Sequence, residues 1–343
     1  MIAYQRLLVT GAGGFVGSHV VTAALARGYK LRSFERPTSP GRGYLDSIGI
    51  EVHNGDLTDG DALRRAIQGC DAIVHCAAHV GDWGHPAVYR RVNVDSLKVM
   101  ADAAADAGVK TFVLMSSLGV YPARHHYGTD ESAAMALDGL DAYTRTKAEA
   151  EVVLREVAQS RGLHTIMLRP GFVYGPRDRR VLPRLLETLR AKRFAYIGDG
   201  MRELDQIYVG NLVDAVFLAL DAPRSLAGEA FNLTDPELVT RREFVGTVAR
   251  LAGLPEPRLF IPERPAYVLT NILDRAGRLL RLSEPLLLSK ARYKFLALNL
   301  NYSTAKARNL LGYAPRYHFP QAMAETMAWF SDHVSQQVPI SIK

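Results

Sequence analysis

Over residues 1 to about 170 of this 343-residue chain, apolar runs rich in β-branched residues alternate with helical patterns. The strand-like runs are QRLLVT, YKLRSF, IEVHN, AIVHCAA, TFVLMSS and HTIMLRP, and between them the spacing predicts helices near 15–27, 60–68, 87–107 and 142–161. Strands that are apolar on both faces must be covered on both faces, and a parallel sheet crossed by helices on each side does this most simply. The prediction is an α/β fold built on a doubly wound parallel sheet.

After Pro170 the rhythm loosens. Helices are predicted near 179–192, 211–221, 241–252, 264–281, 303–311 and 320–334, separated by Pro- and Gly-bearing loops and two short strand candidates, QIYVG and EAFNLT. No Pro/Gly/Ser linker divides the two halves. We therefore expect a dinucleotide-binding domain over 1–175 that carries the reacting residues. Residues 176–343 then form a smaller, mainly helical substrate-binding cap, some segments of which return to the sheet.

Composition narrows the function classes. With 48% apolar residues and no repeat, the chain reads as globular. Cys70 and Cys76 have no second pair to complete a zinc site or a disulfide framework, and the histidines lack ligand spacing, so no metal is expected. The same cysteine usage, with an N-terminus that enters a strand at once, leads us to expect a cytoplasmic protein. No run approaches the roughly 20 apolar residues that cross a bilayer. Net charge is +7, yet the basic residues are not gathered into a nucleic-acid footprint, and no nucleic-acid partner is expected. Residues 258–294 hold eight basic against three acidic side chains, interleaved with Leu, Ile and Phe. Two readings of that segment stand: ordinary cap helices with solvated arginines, or an amphipathic surface in peripheral contact with a membrane.

LLVTGAGGFVGSHVV sets Gly11, Gly14 and Gly17 between a strand and a helix. Glycine there permits a tight turn and a close approach of the backbone to a pyrophosphate, whose charge the helix N-terminus favours. At the end of the second strand, Glu35 can accept hydrogen bonds from an adenosine ribose and would repel a 2′-phosphate, which favours NAD. Arg36 follows and can swing toward a phosphate, so NADP stays as the alternative. Both side chains also read as plain solvated loop charges.

The Gly-x-x-Gly-x-x-Gly spacing after Thr10 resembles the short-chain dehydrogenase/reductase superfamily in its extended, NAD-dependent epimerase/dehydratase branch, whose fold is of Rossmann type. The resemblance implies cofactor contacts from Gly11, Gly14, Phe15, Val16 and Gly17. GDL at 55–57 resembles the adenine-contacting segment, Asp56 with Leu57, and CAA at 76–78 places Ala77 and Ala78 where the backbone passes under the cofactor. RVNV matches the family's structural asparagine with Asn93, which we group with the catalytic set. RPGFVYGP matches the loop flanking the nicotinamide, with Pro170, Phe172 and Val173.

In GLDAYTRTKAEAEVVLREVAQ, Tyr143 and Lys147 stand four apart on a predicted helix and so share a face. A nearby cation favours phenolate over a phenol whose free pKa is about 10. Tyr143 then serves as general base for alcohol oxidation or general acid for carbonyl reduction. The resemblance supplies the partners: Ser117, before LGVY, as hydrogen-bond donor to the substrate oxygen, with Ser116 as the neighbouring candidate, and Lys147 also on the nicotinamide ribose. It also implies a homodimer through the helices near 94–107 and 143–160.

Two positions bear on the substrate. Where epimerases of nucleotide sugars resemble one another in a diphosphate-contacting Asn and a nucleotide-contacting Arg, this chain has Phe172 and Leu204. A buried diphosphate would lose partners it needs. Val80 and Trp83, in AAHVGDWGHP, are read as apolar pocket wall together with Ser117 and Phe172, Trp83 reading equally as a loop anchor. The expectation is an NAD(P)-dependent oxidoreductase similar to the 3β-hydroxysteroid dehydrogenase-like group. It would act on a secondary alcohol or ketone of a small hydrophobic substrate, of 3β-hydroxysteroid/sterol or long-chain 3-hydroxy/3-keto acid type. The alternatives are a nucleotide-sugar epimerase or dehydratase with tightly bound NAD, and a non-catalytic cofactor-binding regulator.

Overall fold

Leu7 and Val9 enter one core cluster and Leu8 another, because successive side chains of a strand point to opposite faces. The computed structural model, which describes residues 6–81, 83–139, 141–280, 282 and 289–334, assembles seven such runs into one parallel sheet. They are β1 (Arg6–Thr10), β2 (Lys30–Glu35), β3 (Glu51–Asn54), β4 (Ala72–His75), β5 (Thr111–Met115), β6 (Thr165–Pro170) and β7 (Glu229–Leu233). Their spatial order is β7-β6-β5-β4-β1-β2-β3. The order reverses between β1 and β4, and the crevice at the carboxyl ends of those strands is where this architecture binds ligands.

Helices cover both faces, as the doubly apolar strands require. On one face α1 (Phe15–Ala26) and α8 (Val209–Leu220) bury Val20, Val21, Leu212 and Val216 against Leu7 and Val9. On the other, α3 (Gly60–Ile67), α5 (Ser96–Asp106) and α6 (Ala142–Arg161) bury Leu63, Leu97 and Leu154 against Leu8 and Ile73. Burial of each such side chain contributes about 1.5–3 kcal/mol before the ordering entropy is counted. A third cluster, including Tyr174, Leu182, Tyr208, Phe244 and Met323, lies over the crevice end. It is built on α7 (Val181–Arg190), α9 (Arg241–Leu251) and α12 (Phe319–Val334). Both β7 and α8 come from the second half of the chain and belong to the sheet layers.

Several elements depart from the sequence reading. The helix anticipated over 87–107 is α4 (Pro86–Arg90), a wider π-type turn over Arg91–Asp95, and then α5. A six-residue helix, α2 (Arg42–Ser47), was hidden by its shortness, and the helix anticipated near 303–311 ends in a π-type turn over Ala307–Leu311. Among the short strands, Gln206–Tyr208 was anticipated in QIYVG; its partner and two further pairs of three or four residues were not. Phe172–Tyr174 runs beside Gln206–Tyr208, Ala195–Ile197 beside Leu259–Ile261, and His126–Thr129 beside Leu300–Tyr302. The remaining helices are α10 (Glu263–Leu279) and α11 (Lys290–Ala297). Residues 281 and 283–288 of the basic 258–294 segment lie outside the described residues.

Candidate active site

The turn after β1 is a cradle that only glycine fits. Gly11 has φ +68°, and a Cβ there would stand 2.9 Å from the Ala77 backbone nitrogen. A Cβ on Gly17 would stand 2.0 Å from the Gly11 carbonyl oxygen. Helix α1 starts at Phe15 with no side-chain cap on its first amides and no acidic residue in its first turn, leaving an open positive end. Glu35, 6% exposed, accepts a 2.9 Å hydrogen bond from the Gly13 amide. It is therefore fixed beside the turn and is no solvated loop charge. These features fit a dinucleotide.

The other expected cofactor residues surround that turn. Hydrogen bonds from the Thr58 amide and hydroxyl hold the Asp56 carboxyl below its ordinary range, and the charges of exposed Arg36 and of Arg91 add to this. Leu57 is half-buried against the α3–α5 core, and Val16 packs on the α1 side. The Ala77 amide donates to Thr10 Oγ1 at 3.3 Å, and Ala78 follows it, half-buried. Thr10 Oγ1 also pairs with His75 Nδ1 at 2.7 Å, a tie between β1 and β4 that the motif reading passed over. Phe15 and Val173 pack against the cluster at the crevice end, and Pro170 is buried at the end of β6.

Asp141 caps α6 by accepting from the Thr144 amide at 2.9 Å, which sets Tyr143 in the first turn. Lys147 lies one turn on, its Nζ 5.8 Å from the Tyr143 ring centroid, as the four-residue spacing requires. Its ammonium donates to the Met115 carbonyl oxygen at 2.6 Å, and burial pushes its pKa down to about 8. The Tyr143 phenol moves opposite to the sequence expectation. Burial and the Asp141 carboxylate raise its pKa well above the ordinary value, and the cation that works against them is Arg180. In the chain alone Tyr143 is a protonated phenol at neutral pH.

The two serines separate cleanly. Ser116 is 3% exposed and donates to Glu151 Oε1 at 2.5 Å, so its hydroxyl is taken up inside the protein. Ser117 is half-buried next to the start of α6, its Oγ accepting from the Gly119 amide at 3.0 Å, which leaves the hydroxyl proton for a ligand. Asn93 accepts from the His79 amide at 2.7 Å and donates to the His79 carbonyl and to Thr146 Oγ1, both at 3.1 Å. Its amide thus joins the loop after β4 to α6 and positions the site without reaching a substrate.

Sequence reasoning missed what anchors α6. Arg169, 2% exposed, pairs through Nε and Nη2 with both oxygens of the fully buried Glu151 at 2.8 and 2.6 Å, and its Nη1 donates to Tyr121 Oη at 2.7 Å. Glu151 lies one turn beyond Lys147 on α6 and Arg169 lies on β6, so the pair locks the helix of Tyr143 to the sheet. The signal was present as three side chains, Tyr143, Lys147 and Glu151, at successive four-residue intervals.

A cavity of about 870 Å³ opens at Phe172, on the loop after β6. Phe172 and Leu204, the two apolar replacements singled out in the sequence, both line it, with Phe194, Tyr196, Phe244 and Phe295. Phe172 meets Phe244 and Phe295 edge to face, at centroid distances of 5.6 and 4.9 Å. Arg180 and Arg184, which sequence reasoning also missed, are in the same wall. Val80 and Trp83, like Ser117, are outside this cavity's wall. Val80 is 46% exposed and offers its carbonyl to Arg180 Nη1 at 3.0 Å. Trp83 donates from Nε1 to the Leu282 carbonyl at 2.6 Å and rests its ring against Gly277, so it is a loop anchor on α10. Among the described residues no group of His, Cys, Asp or Glu could hold a metal ion.

Known proteins share this arrangement along almost the whole chain. Residues 7–234 match the family described as NAD dependent epimerase/dehydratase. The chain is 32% identical over 336 residues to a 2-alkyl-3-oxoalkanoate reductase of Stenotrophomonas maltophilia, covering 94% of this chain and 99% of that protein. It is 33% identical over 344 residues to the 3 beta-hydroxysteroid dehydrogenase/Delta 5-->4-isomerase of Mycobacterium tuberculosis, covering 95% and 90%. The crystal structure of gox2253 superposes with a TM-score of 0.79 at 28% identity over 96% of this chain and 98% of that one. With the glycine cradle, the fixed Glu35 and the Tyr143–Lys147 pair in place, the chain belongs to the NAD dependent epimerase/dehydratase family, the extended branch of the short-chain dehydrogenases/reductases, and is a nicotinamide-dependent enzyme.

Proposed function

We propose that this enzyme transfers hydride between NAD and a secondary alcohol or ketone of a hydrophobic substrate. The observation that carries the proposal is the cavity reached from the loop after β6, whose wall has Phe172 and Leu204 where a nucleotide sugar would need polar partners. Relatives named as a 2-alkyl-3-oxoalkanoate reductase and a 3 beta-hydroxysteroid dehydrogenase support the same class. The catalytically idle alternative loses support from the retained Ser117, Tyr143 and Lys147.

The residues divide the work. Gly11, Gly14, Gly17 and the open end of α1 would hold the pyrophosphate. Glu35 would take the adenosine ribose and favour NAD over NADP. Bound there, the cofactor supplies the hydride acceptor or donor. Ser117 orients the substrate oxygen, and Tyr143 gives or takes its proton. Lys147, held by the Met115 carbonyl, would contact the nicotinamide ribose. With its pKa raised by burial, the Tyr143 phenol keeps its proton in the resting chain. Oxidation needs additional positive charge near the ring.

We extend the proposal to assembly and location. A homodimer through α5 and α6 follows from the family resemblance, and a monomer by gel filtration at micromolar concentration would count against it. Nine large apolar side chains between Leu259 and Leu280 are exposed, among them Leu279 at 84%. Arg258, Arg264 and Arg275 are exposed beside them. This face fits an anionic lipid surface from which an apolar substrate could be taken.

The test is Tyr143→Phe. Removing the general acid/base should lower turnover by about 10²–10⁴-fold, while NAD binding, read by fluorescence titration, stays within about twofold of wild type on the same principle that Tyr143 acts in the reaction step. Retained turnover would refute the assignment.

A further inference from the structure

Four arginines, Arg180, Arg184, Arg241 and Arg292, stand in the wall of an otherwise largely apolar cavity. Among the described residues the Arg184 guanidinium meets no acceptor. Among the described residues the exposed Arg180 uses Nη1, on the Val80 carbonyl, and its Nε–Nη2 edge, the edge that grips a carboxylate with two parallel hydrogen bonds, is turned to no acceptor. Arg241, in the same wall, differs. Its guanidinium is fully taken up by the carbonyls of Arg202, Glu203, Phe295 and Leu298, and it is part of the framework.

The placement of the first two runs against helix stability. Arg180 immediately precedes α7 and Arg184 sits in its first turn, at the positive end of the helix dipole, where cations are disfavoured. Asp178 already accepts from the amides of Arg180, Val181 and Leu182, so the helix end itself offers a ligand little. The two guanidiniums remain as donors. Arg180 is also the cation whose charge opposes the rise of the Tyr143 pKa, so its field reaches the reacting group.

We infer that Arg180 and Arg184 form a carboxylate subsite. The substrate is then an amphiphilic 3-hydroxy or 3-oxo acid, its carboxylate on the guanidiniums, its tail in the cavity and its carbinol carbon at Tyr143. This rests on the hydride-transfer reading above and adds the headgroup to it. A diphosphate would find the same cations, but its nucleoside and sugar would face Phe172, Leu204, Phe244 and Phe295.

The experiment compares kcat/KM for 3-hydroxytetradecanoic acid, its methyl ester and a neutral 3β-hydroxysteroid at saturating NAD, in wild type, Arg180→Gln and Arg184→Gln. UDP-glucose is run in parallel. Wild type should favour acid over ester by about tenfold or more, as expected for charge-assisted hydrogen bonds, and in each variant that ratio should collapse toward one. Titration with tetradecanoate, which cannot be oxidised at C3, reads the subsite without chemistry and should show binding that both variants lose. Equal use of acid and ester by wild type, or a loss in the variants shared by both substrates, overturns the subsite and leaves the dehydrogenase reading standing. Conversion of UDP-glucose with no turnover of the three apolar alcohols overturns both.

Discussion

Ser116 and Ser117 are neighbours in sequence with opposite surroundings, one hydroxyl enclosed against Glu151 and the other beside the start of α6. Ser117→Ala should therefore lower turnover by tenfold or more while stability changes by less than about 1 kcal/mol. Ser116→Ala should do the reverse, with a loss of about 1–2 kcal/mol from the broken buried hydrogen bond. Unfolding curves and turnover rates for both variants check this, and equal activity losses would mean that both serines serve the reaction. At this scale the sequence identified Tyr143, Lys147 and the glycines, because helix spacing and turn geometry are local. It could not weigh the two serines, since their difference arises from Glu151, thirty-five positions away. Nor could it show that Lys147 directs its ammonium at Met115, or that burial would outweigh the charge of Arg180 at the Tyr143 phenol.

The Glu151–Arg169 pair joins α6 to β6 with neither side chain in water. Glu151→Gln leaves the Arg169 guanidinium buried without its counter-charge and should destabilise the fold by about 3–5 kcal/mol; chemical denaturation showing less than about 1 kcal/mol would dismiss the lock on the same scale. The β1–β4 tie carries a pH signature. Burial lowers the His75 pKa from 6.5 to about 3. Above pH 6.5 His75 is neutral in both states and contributes no slope. As pH falls below that value the unfolded chain takes up a proton that the folded chain refuses. Stability then falls by up to about 1.4 kcal/mol per pH unit on this account. Unfolding free energies between pH 7 and 4 should slope less steeply in His75→Gln, and identical slopes would remove His75 as the cause. Long periodic elements such as α6 were legible because their pattern repeats over many residues. Phe172–Tyr174 was not, because three residues carry no pattern of their own and the partner strand Gln206–Tyr208 lies far along the chain.

For the whole molecule, the alternation of strands and helices sufficed to predict a doubly wound sheet, and the seven-stranded order follows it. The cavity did not follow from the sequence, because its wall is gathered from Phe172 through Leu296 and only the fold brings those segments together. No helix among the described residues is long and apolar enough to cross a membrane, so any lipid contact rests on the exposed face around α10. Sedimentation with phosphatidylglycerol vesicles at low salt should carry the protein down, and phosphatidylcholine vesicles or high salt should release it. Replacing Leu279 and Leu280 with Asp should abolish the effect, and a protein that stays in solution with anionic vesicles would remove the membrane surface from the account. The central claim, hydride transfer to NAD from an apolar alcohol, is tested most directly by reduced-nicotinamide absorbance. Purified protein is incubated with NAD and, separately, a 3β-hydroxysteroid, a long-chain 3-hydroxy acid and UDP-glucose. The account predicts net cofactor reduction with at least one apolar alcohol and none with the nucleotide sugar; conversion of the nucleotide sugar without net reduction, and no reaction with either alcohol, would contradict it.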